Sequence, residues 1–204
     1  MVKARILRAR HDHDTVSGLL ALEYDFDMTM HSDAAQSSTD HDHDHSACVS
    51  DALARAVACC DERGARLTPL RRRVLEGLAD SHVPLGAYEL VERLGASGEK
   101  PAPMSVYRAL DFLVSEGLAH RIESRNAYIA CGRTHAADDV IVFLICEACG
   151  LTAEVASHAI GRDVAWATRA AGFTPRTPVL EIPGTCARCK AAAQEEAPAT
   201  ETAG

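Results

Sequence analysis

Aromatic side chains are scarce in this 204-residue chain, which has one Trp, four Tyr and four Phe. Its core must be filled by aliphatic residues, and 47% hydrophobic content supplies enough of them to exclude wholesale disorder. A run of 18 apolar residues is lacking, and the basic start at residues 1–10 gives way to His11-Asp12-His13-Asp14 instead of the apolar stretch of a secretory signal. The chain is therefore expected neither to span a membrane nor to be exported, and to work in the cytoplasm. Net positive charge is also lacking. The chain's 21 Lys and Arg stand against 29 Asp and Glu, a formal charge of -8, which argues against coating nucleic acid or anionic lipid by bulk charge. Two catalytic zinc signatures are missing: no HExxH occurs, and no His-x-Glu is paired with a Pro-Cys-x-x-Cys. A zinc enzyme acting on a small organic substrate is thus a poor match.

The charge that is present is unevenly placed. Residues 1–62 carry 5 basic and 12 acidic side chains, residues 63–125 carry 10 and 8, and residues 126–204 carry 6 and 9. Only the middle block is basic. Residues 1–47 hold HDHD at 11–14 and HDHDH at 41–45 without a sustained apolar period, and read as a disordered extension. Met28 and Met30 lie inside it, so residues 1–27 are consistent with a start assigned too early. The HDHDH run reads either as a solvated polar segment or as a weak zinc-holding stretch. Residues 191–204, rich in Ala, Glu, Thr and Pro, read as a frayed tail.

Between these ends the pattern is helical first. Ser50 can cap a helix carrying Leu53, Val57 and Cys60 and stopping by Gly64. Cys59 and Cys60 are read there as core packing. Thr68-Pro69 is a cap followed by a first-turn proline, with Leu70, Val74, Leu75 and Leu78 on one face. Further helices are expected from Ala87 to Leu94, ended by Gly95, and from Met104 to Ser115. Two short strands, Leu118 to Glu123 and Ala127 to Cys131, complete the order of a winged helix-turn-helix over residues 48–131. Residues 132–190 then read as strand, strand, helix, strand: Val140 to Cys146, Leu151 to Val155, a helix from about Ile160 to Ala171, and Pro178 to Ile182. The fold class is α+β, an N-terminal winged helix-turn-helix plus a small α/β dimerisation domain. So small a unit needs a crosslink or a partner.

The crosslink is visible as Cys146-Glu-Ala-Cys149 and Cys186-Ala-Arg-Cys189, two knuckles separated by 36 residues. Four thiolates suit tetrahedral zinc and close its shell, so this is read as a structural site with no position for a substrate. A redox motif of the thioredoxin kind is expected once, before a helix, and not twice.

The string Ser105-Val-Tyr107-Arg108-Ala-Leu-Asp-Phe-Leu, with Leu67-Thr68-Pro69 before it and Ala119-His120-Arg-Ile-Glu-Ser and the paired CxxC motifs after it, resembles the ferric uptake regulator family, nearest to its zinc uptake branch. The likeness runs from about Cys60 to Lys190. It implies a homodimeric zinc-responsive transcriptional repressor that binds double-stranded operator DNA and controls zinc uptake and homeostasis genes. It also implies a regulatory zinc at the hinge of each subunit, beside the four-cysteine zinc. By resemblance His120 and Cys131 on the wing and Glu154 beyond the first knuckle are ligands of that hinge site. The fourth ligand is His135 or Asp139. Asp139 stands where the zinc branch has histidine, about seven residues before the first knuckle, whereas His135 lies four residues earlier and offers the imidazole that suits zinc better.

On the same resemblance the helix from Met104 to Ser115 is the recognition helix. Arg108 is then able to give two hydrogen bonds to a guanine, worth about 1–3 kcal/mol of discrimination, and Tyr107 to pack on a thymine methyl or hold a phosphate. Ser105 stands where the family often has threonine. Arg71, Arg72 and Arg73 are candidate phosphate contacts, or simply a solvated face. Two rival classes are an iron or peroxide sensor of the same family and a zinc-ribbon interaction module without DNA binding. Metal content and promoter binding separate them.

Overall fold

The computed structural model describes residues 44–133, 139–175 and 178–195. It begins with α1 (Ser46–Arg63), whose Ala52, Ala56 and Cys60, spaced by one turn, are buried. This helix starts four residues before the expected cap at Ser50. The Asp44 carboxylate accepts from the Ser46 N–H (2.9 Å) and hydroxyl (2.7 Å), making the first turn without Ser50. The end comes where expected, at Gly64, with φ +63°.

The helix α2 (Pro69–Ala79) is capped by Thr68, whose hydroxyl accepts the Arg71 N–H. Its Val74, Leu75 and Leu78 pack with Leu90 and Leu94 of α3 (Ala87–Ala96) and Val106, Leu110 and Leu113 of α4 (Pro103–Ser115) in one buried cluster. Gly95 lies within α3 and does not end it. The stop is at Ser97, whose hydroxyl bonds the Leu94 carbonyl (3.2 Å). After α4, Gly117 at φ +71° turns the chain into the antiparallel pair β1 (Ala119–Ile122) and β2 (Ala127–Ala130). Asn126, at φ +46°, reverses the hairpin, and Leu85 pairs with Tyr128 on its outer side.

The second part is a three-stranded sheet in the order β4-β3-β5, from β3 (Val140–Cys146), β4 (Thr152–Ser157) and β5 (Val179–Gly184). β3 runs antiparallel to β4 and parallel to β5. Alternate positions Ile141, Phe143 and Ile145 cluster with Ile122 and Ile129 of the wing, while Val140 borders α5 (His158–Ala170). Every β3 residue except Leu144 is buried, which is why the strand reads as a continuous apolar run. A helix, α6 (Ala187–Glu195), occupies the start of what was expected to be a tail. Three consecutive alanines favour it, and the Lys190 N–H bonds the Cys186 carbonyl at its entry (2.9 Å). Among the described residues no helix is long and apolar enough to cross a membrane.

Candidate metal centres and reading face

The first knuckle sits on the turn leaving β3. Its Gly150 has φ +80°, a conformation that favours glycine, and a Cβ there would press on the Val83 side chain at 3.2 Å. The Gly150 N–H returns to the Cys146 carbonyl (2.9 Å), and the Glu147 N–H reaches the Gly184 carbonyl (2.8 Å), holding this turn against the end of β5. Cys186 follows β5 and Cys189 lies in the first turn of α6. One sulfur from each of Cys146, Cys149, Cys186 and Cys189 lies within 4.8 Å of the others, with Cys149 and Cys186 3.8 Å apart.

These thiols ionise unequally. The N–H groups of Cys186 and then Cys149 donate to the Cys146 sulfur, bringing its pKa down to about 6. Cys189, sharing protons first with Cys186 and then with Cys149, is pushed up to about 12, and Cys149 is raised first by burial. Zinc binding at such a set requires deprotonated sulfurs and would release the remaining thiol protons. No disulfide joins any of the eight cysteines.

A second cluster forms where the wing meets the sheet. His120, Ile122, Ile129 and Cys131 alternate onto one face of the hairpin, because His120 pairs with Ile129 and Cys131 lies two residues on. Facing them is a row across the sheet in which Phe143 is flanked by Glu154 on β4 and Glu181 on β5. The His120 ring lies 5.2 Å from that of Phe143. Glu154 Oε2 accepts the Gly132 N–H (3.0 Å), while Oε1 is 3.7 Å from His120 Nε2 and 3.8 Å from Cys131 Sγ. His120, Cys131 and Glu154 offer three ligand atoms within 4.8 Å of one another. Arg55 of α1 donates to the Cys131 carbonyl (2.8 Å) and fixes the strand end.

Of the two candidate fourth ligands, His135 lies outside the described residues. Asp139 faces His158 at the start of α5, with Oδ1 and Nδ1 4.0 Å apart, and does not belong to the triad of converging atoms.

On α4, Val106, Leu110 and Leu113 are fully buried, which turns Arg108 outward and leaves Ser105 and Tyr107 half-buried. Tyr107 meets Tyr88 of α3 edge to face, 6.3 Å apart. Tyr88, 70% exposed beside α4, is a candidate contact that the sequence reading missed. Its only signal was an aromatic in the first turn of a short helix. The arginine run divides by role. Arg71 lies over the Phe112 ring and bonds the Arg66 carbonyl, and Arg73 bonds the carbonyls of Leu94 (2.9 Å) and Glu99 (3.2 Å). Arg72 is exposed and pairs with Glu76 at 3.7 Å.

Comparison with known proteins gives three findings. The model of the Ferric uptake regulator family matches residues 62–182. The zinc uptake regulation protein of Escherichia coli (strain K12) is 33% identical over 139 residues, 68% of this chain and 81% of that protein. Among solved structures, a zinc uptake regulator complexed with zinc and DNA aligns with a TM-score of 0.67 at 32% identity over 72% of this chain and 97% of that one. The crystal structure of holo XcZur aligns at 0.62 with 41% identity over 69% and 99%.

Proposed function

From its place in the ferric uptake regulator family, to which this chain belongs, we propose that it is a zinc-responsive DNA-binding regulator of zinc uptake. The finer reading is a cytoplasmic homodimeric repressor, not an enzyme, with a winged helix over residues 48–131 and a dimerisation domain over residues 132–190. One observation carries it: two donors of the wing, His120 and Cys131, converge with Glu154 of the dimerisation sheet.

Both donor sets fit zinc. Four sulfurs make a closed tetrahedral shell at the knuckles, and imidazole, thiolate and carboxylate at the hinge match a borderline cation better than the nitrogen and oxygen shell of an iron(II) or manganese(II) sensor. When bound, zinc supplies coordination alone, a shared centre for lone pairs. His120 and Cys131 then fix the wing relative to β4 through Glu154, whose second oxygen is already held by the Gly132 N–H. His135, or Asp139 after leaving its place beside His158, would complete the set. With the wing fixed, the two α4 helices of a dimer stand at the spacing of successive DNA half-sites. Arg108 reads a base edge, Tyr107 and Ser105 support it, and Arg72 holds phosphate. Arg71 and Arg73, occupied inside the domain, set the angle of α2 and keep at most their remaining N–H groups for the backbone.

The required coupling is modest: a hundredfold change in DNA affinity corresponds to about 2.7 kcal/mol, inside the roughly 1–3 kcal/mol usual for linked sites. Fluorescence anisotropy with promoter DNA of a zinc-import gene should show tight binding that a chelator of labile zinc weakens about a hundredfold, with His120→Ala equally weak in zinc. Binding indifferent to both would defeat the reading.

A further inference from the structure

A third group of soft donors stands beside the hinge and shares no residue with the other two. His45 precedes the first turn of α1, Cys48 follows three residues later on the same side of the helix, and His82 comes from the segment between α2 and α3. One ligand atom of each lies within 4.8 Å of the other two, and the imidazole centroids of His45 and His82 are 4.9 Å apart. We propose that His45, Cys48 and His82 form a third zinc site, one that ties the start of α1 to the α2–α3 segment.

The donors choose the metal. Two imidazoles and a thiolate suit zinc, and the set contains no carboxylate of the kind calcium or magnesium requires. Three protein ligands leave a fourth position for water, so this site exchanges its ion more readily than the closed four-cysteine shell. The sequence adds a second observation. His45 closes the run His41-Asp-His43-Asp-His45, so two further imidazoles precede it within four residues and raise the local supply of weak ligands.

The location gives the site its consequence. The His82 carbonyl accepts the Thr152 N–H (2.9 Å), and Thr152 opens β4 two residues before Glu154. Cys48 and His82 line the same cleft as Cys131 and Glu154. Holding α1 to His82 therefore stiffens a path that already runs by hydrogen bond into the strand carrying the hinge carboxylate. Occupation of the third site adds to the fixing of the wing without contributing a ligand to the hinge.

The test uses the full chain with the four-cysteine site filled, labile metal stripped, and the hinge donors removed as His120→Ala/Cys131→Ser. Titration with Co²⁺ alone should bind a single further equivalent per subunit with thiolate-to-cobalt charge-transfer absorption. Adding Cys48→Ser should abolish that absorption, and adding His82→Gln should shift the titration to higher cobalt. In the otherwise unaltered chain, Cys48→Ser should lower total zinc by one per subunit, which serves if the hinge variant folds poorly. No absorption in the hinge variant, its survival after Cys48→Ser, or an unchanged zinc count overturns the site. Because His120 and Cys131 are absent from every cobalt sample, that failure would leave the hinge reading untouched.

Discussion

Phe143 has a carboxylate on either side, and the two meet the wing in different ways. Glu154 divides its oxygens, one for the Gly132 N–H and one for His120 and Cys131. Glu181 instead accepts the N–H groups of Glu123 (2.7 Å) and Ser124 (3.1 Å) at the wing tip. Burial opposes its ionisation, but the hydrogen bonds from Ser124 and Glu123 outweigh burial and hold its carboxyl below the ordinary 4.5. A depressed carboxylate contributes stability in full above its unfolded value and loses it as pH falls through the folded one. The amide resonances of Glu123 and Ser124 should therefore titrate with a midpoint below 4.5, and the step should vanish in Glu181→Gln. A midpoint above 4.5 would mean that the tip is not docked through this group.

At the scale of elements, the four-cysteine cluster is assembled from a turn and a helix entry. The first knuckle needs Gly150, the second needs the entry to α6, and the strand–helix–strand between them brings the two together. Zinc held by such a set is worth about 10–16 kcal/mol at neutral pH, as much as the roughly 5–15 kcal/mol that stabilises a typical domain. Cys186→Ser should accordingly lose the tightly held zinc and most of the cooperative unfolding of the C-terminal part. A variant that keeps its full zinc by elemental analysis and melts as the parent does would refute the structural assignment. The wing is less dependent on metal. Ile122 and Ile129 pack on Ile141, Phe143 and Ile145, and Arg125 bonds the Cys146 carbonyl (3.1 Å), so wing and sheet already share a small core.

At the scale of the molecule, several large apolar side chains of the C-terminal part stand exposed. Along β5, an edge strand, Val179, Leu180 and Ile182 are exposed, Ile182 by 49%, and Trp166 of α5, the only tryptophan, is 71% exposed. Leu144 and Phe173 are exposed as well. An unpaired edge with large apolar side chains is an aggregation hazard unless another chain covers it, and a second copy does so in the proposed homodimer. Ile182→Asp should sediment as a monomer at concentrations where the parent is a dimer, keep its four-cysteine zinc, and bind promoter DNA weakly. A dimer unchanged by Ile182→Asp and by Trp166→Ala would place the interface elsewhere.

The sequence by itself determined the order of helices and strands, the caps at Thr68 and Gly64, and the two knuckles, because local periodicity, caps and CxxC spacing are short-range properties. It also named His120, Cys131 and Glu154, through the family pattern. What it misjudged lay at boundaries, where a neighbour decides: Asp44 starts α1 ahead of Ser50, and alanines carry α6 beyond the second knuckle. Tertiary structure alone decided which arginines are engaged within the domain, since the aromatic ring beneath Arg71 belongs to α4 and the carbonyls that Arg73 bonds belong to α3 and the turn after it. It alone brought His45 and Cys48 to His82, more than thirty residues away, because convergence of donors distant in sequence is a property of packing and leaves no periodic trace in the chain.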